Sequence, residues 1–207
     1  MGWVSEPGRF HRPTLHADLT AFIDAAGGDS SISRAEVASA TAAVVVSAGR
    51  HDAQAGMNFV ELADRVGIDT LAELWRNSDP VSLPGALWAL YVLRQWCMSS
   101  GDEVRLLWRA GMPYAQADAV VAGVADAADV DAVQSVADSV LSGVYAGDLA
   151  VALERAAALF RVVATGRREL AGTDERGDNE RVLADRNDRV AGDLTTAARL
   201  WRVGKLH

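Results

Sequence analysis

The 207-residue chain has one cysteine, one lysine, four histidines and few aromatic residues. With Cys97 alone, no disulfide can form within the chain, and an oxidising compartment would add nothing to the stability of the fold. Lys205 is the only lysine, the other basic residues are arginines, and Ala, Val, Gly and Asp are heavily used. That composition is typical of a GC-rich coding sequence, so a bacterial source is expected. The N-terminal residues MGWVSEPGRF lack the apolar core of a signal peptide, and Glu6 stands where a myristoylation motif needs Ser or Thr. A cytoplasmic protein is the expectation.

Basic charge is also scarce. The net charge of −8 gives no basic footprint for DNA, RNA or anionic lipid, so neither nucleic acid nor membrane is expected as a partner. His11, His16, His51 and His207 form no Glu-x-x-His or His-x-x-x-His pair, which leaves no helical metal site. The glycines of Gly143–Gly147 are not followed by the Lys-Ser/Thr of a phosphate loop, and no Gly-x-Ser-x-Gly elbow occurs. No cofactor, metal or catalytic constellation is therefore expected.

Against these absences stands a chain that is half hydrophobic, enough for a substantial core. Its organising stretch is Leu83 to Met98, LPGALWALYVLRQWCM. Placed on a helix it has no polar face, which predicts burial on all sides. Ser82 is placed to cap it, and Pro84 fits the first turn, where its missing N–H costs nothing. Sixteen residues interrupted by Arg94 are too few to cross a bilayer. Cys97 on this helix is read as a small packing residue.

Around it the apolar spacing predicts further helices, and no stretch alternates with period two. Helical spacing begins at Leu15 and ends near Gly27-Gly28. Ser33-Arg34-Ala35-Glu36 forms a capping box for a helix to about Ala48, through the Val44–Val46 run. Short helices follow from Asn58 to Gly67 and from Asp69 to Trp75. After the central helix, Ser100 caps a helix ending at Gly111, and a small Ala-rich helix covers about Tyr114 to Val121. Asp129 opens one that ends near Gly143, and Asp148 opens an amphipathic helix ending at Gly166. AGTDERGD, residues 171 to 178, reads as a linker. Beyond it come a charged helix, about Asn179 to Ala191, and a last one from Asp193 to Val203. The expected fold is all-α, a globular bundle of about nine or ten mostly short helices around a buried central helix, about 83–98. The expected organisation is an irregular arm (1–13), a helical core domain (14–170) and a linker with a C-terminal helical segment packed on the core (171–207).

Three Leu-Trp-Arg triplets, at Leu74, Leu107 and Leu200, each sit at a predicted helix end. Their flanks do not match, so they read as Trp plugs with Arg complementing the negative end of a helix dipole, and not as repeats. ELADRVGIDTLAELW, residues 61 to 75, resembles a helix-turn-helix in the separation of Ala63 and Gly67. Its second helix carries acidic and core-type residues where base-reading groups belong, so a helix-turn-helix regulator ranks last among the functional readings.

Two functional readings rank above it. The first is a non-enzymatic interaction or scaffold protein that binds a protein partner or self-associates through the stripe Leu194, Ala198 and Trp201 of the last helix. The alternative is a small-molecule binding protein or enzyme, with Arg94 at the floor of a pocket walled by Tyr91, Trp88 and Trp96 and an anionic ligand between them. The bland reading of Arg94 is a structural ion pair with Asp102 or Glu103.

Overall fold

The computed structural model describes residues 34–51, 73–122 and 148–207. The expected N-terminal arm, the helices near 15–27, 58–67 and 129–143, and all but the end of the helix-turn-helix stretch lie outside the described residues. Within them the chain is helical, with no strand: α1 (Arg34–His51), α2 (Leu83–Ser99), α3 (Gly101–Gly111), α4 (Gln116–Ala122), α5 (Leu149–Leu170) and α6 (Glu175–Arg202). No described helix is long and apolar enough to cross a membrane. The all-α class is as expected. Among the described residues the expected count of nine or ten mostly short helices is not matched; two of the helices are long, and one of them joins two predicted pieces.

The helix at the centre is α5 rather than α2. It packs on α3, α4 and α6, and more lightly on α2. Its sequence explains why: Ala152, Ala156, Ala157, Ala158, Ala164 and Gly166 are small and buried, so neighbours approach it from several sides. Asp148 caps it by accepting from the Ala150 N–H at 2.9 Å, satisfying one of the orphan donors of the first turn. The helix does not stop at Gly166 but continues to Leu170. Gly166 is a contact point with α3 and not a terminator.

The last two predicted helices are one. α6 runs 28 residues, roughly 42 Å, without a break at Gly192. The supposed linker shrinks to a tight turn, because Asp174 caps α6 by accepting from the Gly177 N–H at 2.9 Å and the helix begins at Glu175. Ion pairs along the length of α6 tie it to α5. Arg167 pairs with Glu180 at 2.6 Å, Arg168 with Asp185 and Asp188 at 2.8 and 2.6 Å, and Arg202 with Glu154. At its end Gly204, with φ of +68°, closes a Schellman motif. Lys205 N–H donates to Leu200 O and Gly204 N–H to Trp201 O. The turn brings Leu206 into the core and the His207 carbonyl onto the Leu83 N–H at 2.9 Å, at the start of α2.

α2 begins as its sequence dictates: Ser82 Oγ accepts from the Gly85 N–H, and Pro84 sits in the first turn. Leu83, Ala86, Leu87, Leu90, Leu93 and Cys97 are buried. Val92 and Met98 are not, at 39% and 55% exposed. The expectation of burial all round is thus corrected: one side of α2 is left open. Ser100 ends α2 and starts α3 in one residue, and its hydroxyl makes no cap bond to α3. α1 packs on α2 through Ala38, Ala42 and Val46. The Val44–Val46 run is helical, and the helix passes Gly49 to reach His51. Thr41 accepts from the buried Trp75 Nε1 at 3.2 Å, which ties the Glu73–Trp75 turn to α1.

Candidate functional site

The open side of α2 forms a cleft of about 520 Å³ against α5 and α6. That volume lies within the range of small-molecule sites. The i, i+4 spacing of Trp88, Val92 and Trp96, with Ala89 between, places these four residues along one wall. Phe160 and Arg167 of α5 and Val190 and Leu194 of α6 supply the opposite wall. α2 and α6 run antiparallel. Asp79 stands near Asp193 at one end, and Arg167 links Trp96 to Glu180 toward the other.

At the Trp96 end the side chains interlock. Arg167 is 6% exposed, and its guanidinium lies over the Trp96 ring, 5.3 Å from the centroid. It donates to Glu103 of α3 at 2.9 Å and to Glu180 of α6 at 2.6 Å. Trp96 Nε1 donates to the other oxygen of Glu103 at 3.2 Å. One arginine thus satisfies two carboxylates and a π face, holding Trp96 and four helices in register. Its Nε and the Nδ2 of Asn187, also a cleft residue, are buried donors without a hydrogen-bond acceptor.

At the other end Asp193 is half-buried. Burial, and then the negative charge of Asp79, hold its carboxyl above the usual aspartate range, with Arg189 pulling the opposite way. Four arginines line the cleft, Arg76, Arg167, Arg186 and Arg189, against one carboxylate, Asp193. Two of the four are committed: Arg76 pairs with Glu73, and Arg167 as above. Arg186 is exposed and makes no ion pair among the described residues.

The sequence-expected pocket is brought together in part. Trp88 and Trp96 line the cleft, and Tyr91 stacks on Trp88 with centroids 5.6 Å apart but does not line it. Arg94 is half-buried on the far side of α2, since its position on the helix lies well away from Trp88 and Val92. Of the two carboxylates near it in sequence, Glu103 accepts from Arg167 and Trp96, and Asp102 pairs with Arg105 at 3.0 Å. Arg167 lies just past the helix end expected at Gly166 and carries no signal in the sequence. Nothing in its local sequence marks it as buried, because its partners lie 13 and 64 residues away.

Of the expected interaction stripe, Leu194 and Ala198 are buried and Trp201 is packed against the core. No group of three or more potential metal ligands occurs among the described residues. Comparison with known protein families, curated proteins and solved structures gives no match.

Proposed function

We propose that this chain is a small-molecule binding protein whose cleft takes an anion with an apolar body. The observation that carries the reading is Arg186, an arginine without an ion pair among the described residues, on the rim of a Trp-walled cleft of about 520 Å³. An acceptor group on the ligand would pair with Arg186. Its apolar body would cover Trp88, Val92 and Val190, recovering roughly 25 cal/mol per Å² of apolar surface removed from water. Arg167 then serves as the fixed end wall that keeps Trp96 in place. The network has no nucleophile activated by a base, so binding without chemistry is the simpler reading. A cytoplasmic setting suits the single buried thiol, Cys97. The net charge of −8 argues against nucleic acid, and the cationic rim that favours a small anion is local.

The interaction or scaffold reading is the second one. It is favoured by the exposed apolar residues Leu106, Tyr114, Val120 and Val121 on and beside α3 and α4. A titration with octanoate decides between them. One saturable site per chain, lost in Val92→Glu while the melting temperature holds, supports the cleft. Val92 is part-exposed, so the added carboxylate is tolerated by the fold but repels the probe. No saturable binding of octanoate leaves the interaction reading standing.

A further inference from the structure

On α6, Arg186 and Asp193 are seven residues apart, which puts them on the same side of the helix, two turns and roughly 10.5 Å along its axis. Val190 lies between them, and all three line the cleft opposite Trp88 and Val92. Neither charged group makes an ion pair among the described residues. Each end of the cleft therefore offers an unpaired charge, positive at Arg186 and negative at Asp193, with Val190 between them and the cleft residue Arg189 beside it. We propose that the ligand is an elongated zwitterion: an anionic group at Arg186, an apolar middle over Val190, and an ammonium at Asp193.

The charges around Asp193 support the second half of that assignment. The nearest acid, Asp79, repels it, and the one cation influencing it from its own helix, Arg189, is too weak to compensate for burial. Arg76, on the same stretch as Asp79, is held by Glu73. The facing first turn of α2, Leu83 to Ala86, has no ionisable side chain. A cation arriving there meets two carboxylates that lack a full counter-charge. A simple anion gains at Arg186, but an alkyl tail long enough to reach Asp193 covers that carboxylate without supplying a counter-charge.

This inference rests on the proposed cleft, and the test separates the two. Octanoate and 8-aminooctanoate share an eight-carbon skeleton, and the latter has an amine and a carboxylate separated by a distance comparable to the spacing of Arg186 and Asp193. Titration of the full chain is expected to show 8-aminooctanoate binding about three- to tenfold tighter than octanoate. Asp193→Asn should erase that preference while leaving octanoate as tight or tighter. Octanoate binding at least as well as the amino acid, or a preference that survives Asp193→Asn, would overturn the zwitterion while leaving the anion cleft intact. If neither probe binds, both readings fall.

Discussion

Gly111 and Gly166 meet backbone to backbone where α3 crosses α5. A methyl group on Gly166 would lie 1.9 Å from the Leu107 carbonyl oxygen, and one on Gly111 would lie 1.9 Å from that of Val162. Backbone atoms cannot step aside as a flexible side chain can, so the two helices must separate if either glycine changes. This crossing sets the position of α3, and through Glu103 it sets the position of Arg167 and Trp96. Gly166→Ala is expected to destabilise by about 1–3 kcal/mol, the usual cost of overpacking, and Gly111→Ala similarly. Chemical denaturation measures this. A neutral Gly166→Ala would mean that α3 and α5 are not in contact there.

Gly192 makes the opposite case. A side chain at this position meets nothing within 4 Å, and it lies in the middle of α6. Gly192→Ala should therefore stabilise the protein by up to about 1 kcal/mol, the propensity difference in an exposed helix interior. A loss of stability would show that the helix breaks at Gly192, as its sequence suggests.

Arg167 is the most heavily used side chain in the fold. Arg167→Ala strands Glu180 and Glu103 and removes the support under Trp96. Breaking a buried pair costs about 3–5 kcal/mol. Because both glutamates are partly exposed and can be rehydrated, the low end is expected. Arg167→Met, which refills the space beneath the ring, should recover part of that loss, and a melting curve for each variant checks the order.

Two carboxyl groups bend the pH profile of stability in opposite directions. Glu154 is held below its usual range, first by its hydrogen bond to Arg202. Its contribution is present above the unfolded carboxylate pKa and is lost as pH falls through the lowered folded value. Asp193 is held above its usual range by burial, so its ionisation costs stability, and that cost is relieved as pH falls through its raised folded value. At neutral pH, Asp193→Asn should therefore be more stable than the parent chain, and Glu154→Gln less stable. Both differences should shrink as the pH falls, the Asp193 difference first because its folded value is raised and the Glu154 difference last because its folded value is lowered, which unfolding curves taken from neutral to acid pH would show.

The sequence carried the helix class and many of the element ends. Ser82 with Pro84, Asp148, and the stop at Gly111 all act where local chemistry predicts. Two features were out of reach for identifiable reasons. Gly192 reads as a break between two helices and residues 171 to 178 as a linker, because the ion pairs that hold α6 to α5 join residues 13 to 48 positions apart. The cleft arginine was placed at Arg94 because an apolar helix seemed to demand full burial around its one cation. The structure instead leaves Val92 and Trp96 facing a cleft and fills the charged corner from α5. Two of the three aromatic residues lining the cleft, Trp88 and Trp96, are legible from helical spacing alone, and Phe160 is not.

The most direct test of the anion cleft is contact quenching of tryptophan fluorescence by 8-bromooctanoate. The bromine atom quenches an indole it touches, and Trp88 and Trp96 line the cleft while Trp75 and Trp108 are fully buried elsewhere in the core. Saturable quenching is expected in the parent chain and should be largely lost in the double variant Trp88→Phe, Trp96→Phe. Quenching that is absent, unsaturable, or undiminished in the double variant would contradict a binding site between α2 and α6.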